Sequence, residues 1–358
     1  MQALPRVFLA AATLLAGNGG IARVARLMGR VLAEEAAAGR LAVRSASLLD
    51  HDLPDVNLPV TIARGWKERF AWEVYKAALS CDYFLYDFLG MVRAHPCFPL
   101  LRRPCLSWIH GIEVWESANR SRLRCARRAD VLIANSAYTR QRADRLHGGF
   151  QRAHVCWLAT ETDETPSRPS GDCRPTVLIL GRMYPMRFKG HDELIDCWPR
   201  VIAAVPDARL VIVGNGPGRP DLQRKAAASP AAQAIVFKGF VPEEAMPQVW
   251  DEATVFAMPS RGEGFGLVYI EAMRKGLPVI ASIHDAAPEI NVEGVTGYNV
   301  DLDKPEELPE RIIYLLKDRD RAAALGRQGQ QRWREHFTYT AFKQRFLPLL
   351  RGFLHGRL

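Results

Sequence analysis

The sequence predicts an α/β protein made of two doubly wound, Rossmann-like domains facing each other across a cleft. Three observations carry that expectation. At 358 residues the chain is long enough for two domains of ordinary size. Short apolar runs alternate with longer helical patterns along the whole chain, the mark of parallel sheets joined by helices. Residues 159–173 (ATETDETPSRPSGDC) then interrupt the alternation, lacking periodicity and collecting Pro, Ser, Thr and acidic residues.

In order, residues 6–12 read as a buried strand, GNGG at 17–20 as a turn and 21–35 as a helix. In that helix Ile21, Val24, Leu27, Met28, Val31 and Leu32 recur at helical spacing, while Arg23, Arg26 and Arg30 take another face. Runs at 83–86, 105–109, 130–134 and 154–158 supply further strands. Beyond the interruption, strands are expected at 176–180, 209–213, 235–238, 255–258 and 278–282. Helices are expected at 193–204, 223–228, 243–250, 267–275 and 305–316, with a helical tail from 321.

Composition narrows the class. Hydrophobic residues at 48% and charged residues at 24% suit a soluble core and exclude long disorder. No apolar run is long enough for a transmembrane helix. The apolar opening at 7–15 resembles a signal-peptide core, but a glycine turn and an amphipathic helix follow it directly, so a cytoplasmic protein is expected. The seven cysteines are odd in number and form no C-x-x-C pair, which reads as reduced thiols and neither a disulfide framework nor a zinc site. Residues 1–160 carry 22 Lys+Arg and 13 Asp+Glu, a net +9, whereas 161–358 carry 26 of each and are neutral. The two halves therefore meet different partners.

The strongest local signal is PSRGEGFGLVYIEAMRKGLPVIA at 259–281. A strand runs into a loop with three glycines, and a helix follows that stops at Gly276. Glycines ahead of a helix let the backbone approach a ligand and turn N–H groups toward it. Glu263 in the loop and Glu271 in the helix bracket this element.

The segment resembles the E-x7-E signature of the GT-B glycosyltransferases, specifically the retaining family 4 group (glycosyl transferases group 1). Other segments match that family in order: GRMYPMRFKGH at 181–191, LVIVGNG at 210–216, IVFKGFV at 235–241, GGI at 19–21, IHGIE at 109–113 and Asn135-Ser136. The resemblance covers nearly the whole chain and is sharpest over 176–298. It implies an acceptor-side domain over 1–160, a linker over 161–173, a nucleotide-sugar domain over 174–338, and a last helix, 339–358, packing back on the first domain.

Departure of a nucleoside diphosphate develops negative charge, so fixed cations stabilise its transition state. Arg182 and Lys189 follow a second-domain strand and suit that task, with Arg187 a neighbouring substitute. The resemblance implies that Glu263 contacts the transferred sugar and Glu271 the ribose. It also implies that the backbone of Gly264, Phe265, Gly266 and Leu267 lines the diphosphate, and that Gly239, Phe240 and Val241 lie at the nucleobase. From the first domain the Gly19-Gly20 loop would close on the same site. His110 follows an apolar run and precedes a glycine, the carboxyl end of a strand where open α/β sheets bind ligands. Its expected role is catalytic or sugar-binding, with Asp87 and Glu113 as weaker acceptor-side candidates.

Retention is implied without a persuasive carboxylate nucleophile; the expected step is a same-face displacement in which the leaving phosphate helps deprotonate the acceptor. Asp301-Leu-Asp303 matches the D-x-D of metal-using transferases, yet it precedes a Pro305 helix start and reads as a loop or cap. No metal or dinucleotide cofactor is expected. The nine arginines of 120–152 read either as a solvated helical face or as an attraction to anionic lipid or a diphosphate-linked acceptor. No nucleic-acid module accompanies them.

The expected activity is transfer of a hexose from GDP-mannose or a UDP-sugar to a saccharide or polyprenyl-diphosphate-linked acceptor in polysaccharide biosynthesis, with peripheral contact at the inner membrane face. HGIEVW at 110–115 resembles exopolysaccharide mannosyltransferases and tilts the donor toward GDP-mannose. A non-catalytic nucleotide-sugar or polysaccharide-binding protein on the same fold, and a sugar-nucleotide epimerase, are the rival readings.

Overall fold

The computed structural model describes residues 4–15, 19–166, 174–186 and 188–358. The chain divides into two compact units, Met1–Glu161 with Tyr339–Leu358, and Thr162–Thr338. Among the described residues, the first unit carries β1 (Arg6–Ala11), β2 (Ala42–Ser47), β3 (Val60–Ile62), β4 (Tyr83–Tyr86), β5 (Cys105–Ile109), β6 (Val131–Ala134) and β7 (His154–Val155). They form one parallel sheet in the order β3-β2-β1-β4-β5-β6-β7. The second unit carries β8 (Thr176–Leu180), β9 (Arg209–Val213), β10 (Ile235–Gly239), β11 (Val255–Ala257), β12 (Val279–Ser282) and β13 (Gly297–Val300). Their order is β10-β9-β8-β11-β12-β13, again all parallel.

Both sheets are doubly wound, and the strand order reverses beside β1 in one unit and beside β8 in the other. Ligands of open α/β sheets bind at such a switch point, outside the strands' carboxyl ends. The central strands are apolar on both faces because helices cover both sides. Val7–Ala11 of β1, all of β5 and all of β6 are buried.

Helix α1 (Gly20–Ala37) follows β1 and buries Val24, Leu27, Met28, Val31 and Leu32, the stripe its spacing predicts. Edge strand β3, its neighbour β2 and helix α2 (Lys67–Ala78) lie where no element was expected. AVRSAS is half-exposed at its start and VTI only partly buried, so neither strand shows the apolar run that marks β1, β5 and β6.

Helices α3 (Arg120–Arg128) and α4 (Ala137–His147) complete the first unit before the crossover. In the second unit α5 (His191–Ala204), α6 (Arg219–Ala227), α7 (Met246–Asp251), α8 (Leu267–Arg274), α9 (Ala287–Ile290), α10 (Glu307–Lys317) and α11 (Arg319–His336) follow. The last helix, α12 (Tyr339–Leu354), belongs to the first unit. Its fully buried Phe342 and Phe346 stack on Trp108 of β5 at 6.2 and 6.0 Å between ring centroids. Lys343 and Arg351 pair with Glu34 and Glu35 of α1 at 2.6 and 3.1 Å. Among the described residues no helix is long and apolar enough to cross a membrane.

Candidate active site

In the second unit the loops leaving β8 and β11 meet at the switch point. The amide of Arg261 donates to the Phe188 carbonyl at 2.8 Å, tying one loop to the other. Lys189 Nζ then reaches Glu263 Oε2 at 2.5 Å, with only 18% and 20% of the two side chains exposed. Burial opposes the ammonium charge of Lys189, but the adjoining Glu263 carboxylate outweighs it and holds the pKa above the usual lysine value.

The Glu263 backbone is anchored from below. Its N–H donates to Asp285 Oδ2 at 3.1 Å, and its carbonyl accepts the Ala286 N–H at 3.1 Å. Asp285 Oδ1 accepts the Ala287 N–H at 2.9 Å. Asp285 is 2% exposed, and burial, aided by the neighbouring Glu263 charge, pushes its pKa up to about 7. The sequence reading missed this residue. Its one signal was position, three residues beyond the β12 strand.

Gly266 adopts φ 89° to start α8, where a Cβ would collide with the Tyr269 ring. Tyr269 in turn donates its hydroxyl to the Met258 carbonyl at 2.8 Å, clamping α8 to the end of β11. Gly264, Phe265 and Gly266 are buried and Leu267 half-buried. The Phe265 ring packs edge-on to Phe337, so this stretch offers a ligand its backbone. Gly214, at φ 127°, lies so close to the Gly181 carbonyl that no side chain fits, which brings the β9 loop against the loop bearing Arg182. Its N–H donates to the Gly239 carbonyl at 2.7 Å. Phe240 is exposed and Val241 half-buried beyond it. Arg182 is exposed, its guanidinium 5.2 Å from the Tyr184 ring centroid. Glu271 lies half-buried on α8. Arg187 lies outside the described residues.

The first unit has its own cluster at the equivalent edge. His110 Nε2 lies 2.7 Å from the backbone carbonyl of Asp87, a contact that needs a proton on Nε2 and leaves Nδ1 as an acceptor. The Asp87 carboxylate reaches across the switch point to accept the Ala12 N–H at 2.8 Å. It is fully buried, and that burial raises its pKa to about 8. Glu113, 3% exposed, accepts the His110 N–H at 2.5 Å, and Asn135 Nδ2 donates to the His110 carbonyl at 3.0 Å. The His110 ring also stacks on Trp108 at 6.2 Å. Asp87 and Glu113 thus hold backbone in place, and His110 is the member of the three that is only half-buried. Gly19, at φ 87°, caps α1, and Gly20 is its first residue. A second buried carboxylate that the sequence did not flag, Asp50, accepts the Leu14 N–H at 2.7 Å just after β1.

At the D-x-D stretch, Asp301 Oδ1 accepts the Asp303 N–H at 3.0 Å and lies 3.1 Å from His284 Nε2. Cations already attend both carboxylates: Arg261 pairs with Asp303 at 2.8 Å and Lys304 with Asp301 at 3.6 Å.

Known proteins resemble this chain in sequence and in fold. Residues 174–318 match the family model described as glycosyl transferases group 1. A "GDP-mannose-dependent alpha-(1-6)-phosphatidylinositol monomannoside mannosyltransferase" of Mycolicibacterium smegmatis is 34% identical over 280 residues, 71% of this chain and 72% of that protein. The chain belongs to the glycosyl transferases group 1 family. A monoacylated-substrate counterpart from Corynebacterium glutamicum is 32% identical over 266 residues, 68% of each chain. Among solved structures, Anabaena HepE in complex with UDP and glucose superposes with a TM-score of 0.78 at 20% identity, covering 98% of this chain and 100% of that one. Sucrose-phosphate synthase from Thermosynechococcus elongatus gives 0.77 at 20% identity, with 99% and 100% covered. Those likenesses show the fold, two Rossmann-like domains of the GT-B plan. This group 1 glycosyltransferase is therefore a sugar-transferring enzyme, and its Arg182, Lys189 and Glu263 stand on loops at the carboxyl edge of the second unit's sheet.

Proposed function

We propose that this glycosyltransferase moves mannose from GDP-mannose, with retention, to a lipid-linked saccharide or phosphoinositide-type acceptor at a membrane surface. The observation that carries the donor half is the Lys189–Glu263 pair at the β8–β11 switch point, with Arg182 on the same loop as Lys189. Opening the pair would free Lys189 for the leaving diphosphate and Glu263 for the sugar hydroxyls. Arg182 would add a planar fork to the same phosphates. Glu271 would hold the ribose, and the backbone of 264–267 would line the diphosphate. On the first unit, His110 would hydrogen-bond a sugar hydroxyl through Nδ1. Deprotonation of the acceptor would fall to the leaving phosphate on the same face.

Two relatives support the choice of donor and acceptor class: the Mycolicibacterium and Corynebacterium proteins both carry GDP-mannose and a phosphatidylinositol mannoside in their names. No metal is assigned to the step.

The test is turnover of GDP-, UDP- and ADP-sugars with phosphatidylinositol mannoside and polyprenyl-diphosphate saccharides, the product anomer read by NMR. Mannosyl transfer with an α-linked product from GDP-α-mannose is expected. An inverted anomer would refute retention, and acceptor-free isomerisation or binding without turnover would refute the transferase step.

A further inference from the structure

The loops leaving β8 and β9 are laced together. Gly181 donates its N–H to the Val213 carbonyl at 3.0 Å, Met183 to Asn215 at 3.1 Å, and Gly218 to Met183 at 3.0 Å. Arg182 therefore stands on one of two joined loops, and the other leads directly into α6, whose first residue is Arg219. The bond from Gly214 to the Gly239 carbonyl extends this floor to the end of β10. The floor has no room for side chains: a Cβ at Gly216 would strike the Met183 carbonyl, and one at Gly218 the Tyr184 carbonyl.

Arg219 lies half-buried at the far end of that floor. Its guanidinium is laid against Gly239, where a Cβ would come within 3.0 Å of Nη1. Among the described residues the guanidinium makes no hydrogen bond or ion pair, and its Nε is buried without an acceptor. Other partly buried cations of this unit are spent. Lys225 is held by Asp192 and Asp196, Lys238 and Arg209 by Glu252, and Lys275 by Asp251. A guanidinium packed in place with open N–H groups is set for an acceptor from outside the chain. Phe240, the residue after Gly239, is 72% exposed and offers a flat apolar face at the same strand end.

The position of the donor decides what that acceptor is. Arg182 and Lys189 would take the diphosphate at the end of β8, and Glu263 the sugar on the β11 side. A nucleoside diphosphate carries its base one ribose beyond the phosphates, away from the sugar, which is toward β9 and β10. Bases present different edges to a planar fork. Guanine sets two acceptors, O6 and N7, side by side, the pattern a guanidinium grips with two N–H groups. Adenine puts an amino donor beside its N7, and uracil has a C–H beside its O4.

We propose that Arg219 selects the donor's base, its guanidinium donating to O6 and N7 of guanine over the glycine floor at the end of β10. The proposal rests on the GDP-mannose reading above and names the residue that enforces it.

The test is calorimetric titration of the full chain with GDP, UDP, ADP and 7-deaza-GDP, whose base lacks N7. The parent is expected to bind GDP most tightly. Arg219→Met should weaken GDP about tenfold or more, leave UDP and ADP unchanged, and bind 7-deaza-GDP as well as GDP. Arg219→Lys keeps the charge without the fork and should lose the same selectivity. Because the guanidinium has no partner in the free protein, both variants should keep the parent's Tm. KM for GDP-mannose should rise with kcat little changed, since the base is held alike before and during transfer. A GDP preference that survives Arg219→Met overturns the proposal alone. So does equal weakening of GDP, UDP and ADP with rescue by Arg219→Lys, which would place the arginine on phosphate. A parent that binds UDP or ADP as well as GDP refutes the GDP-mannose reading, and the guanine assignment with it.

Discussion

Lys189 and Glu263, 74 residues apart, are joined by a 2.5 Å ion pair in which four-fifths of each side chain is buried. The two residues expected to serve separate parts of the donor are thus each other's partners. Each charge stays compensated until something stronger competes for it, and a diphosphate is the natural competitor for the ammonium.

Lys189→Met should therefore act twice. It leaves the Glu263 carboxylate half-buried without its cation, at a cost of about 1–3 kcal/mol in urea denaturation. Lys189→Met/Glu263→Gln should recover most of that loss because no lone charge remains. Turnover should fall by about 100-fold or more in both variants. Full activity in Lys189→Met would remove the lysine from the donor site.

The Asp285 carboxyl titrates at about 7, above the ordinary 3.8, because it is buried under the Glu263 loop. The folded protein therefore binds this proton more tightly than the unfolded chain. The stabilisation is complete below about pH 4 and is lost as pH rises through about 7. Asp87, with its pKa of about 8, contributes a slope of the same sign. Asp285→Asn should flatten the fall in urea midpoint between pH 5 and 8 relative to the parent. Parallel curves for the two proteins would contradict the assignment.

His110 and Glu113 should separate chemistry from scaffolding. His110→Ala is expected to lower kcat by about 100-fold with little change in Tm. Glu113→Ala instead strands the His110 N–H, costing about 1–3 kcal/mol and loosening the loop that aims the ring. Glu113→Gln, which can still accept that bond, should restore both Tm and activity. A Glu113→Gln variant as impaired as Glu113→Ala would point to a direct role for the charge.

Phe342 lies against Trp108, which stacks in turn on His110. Phe342→Ala should cost about 3–5 kcal/mol by leaving a cavity in the first unit. It should also lower kcat more than donor affinity, since the ring stack behind His110 is lost. Unchanged kcat in a folded Phe342→Ala protein would detach the last helix from the site.

Some of this was legible in one dimension because it is local. Central strands such as VFLAA and VLIA are continuous apolar runs, since helices cover both faces of a parallel sheet. The stripe of α1 and the glycine loop ahead of α8 likewise depend on a few neighbouring residues. Strands β2 and β3 escaped notice because AVRSAS mixes polar with small residues and VTI is a three-residue edge strand, where that apolar run is not required.

The sequence by itself determined the fold class, the family, and which loops carry the charged candidates, because periodicity and motif spacing are written along the chain. Only the tertiary structure decided what those candidates touch. Lys189 meets Glu263 because β11 pairs with β8 across the switch point, although β9 and β10 lie between them in sequence. Asp285 sits under Glu263 for the same reason, β12 lying beside β11. Folding also sorted the exposed from the spent. It engaged four arginines of the basic stretch within the first unit and left Trp66 and Trp72 facing water, a difference set by which neighbours the sheet order supplies.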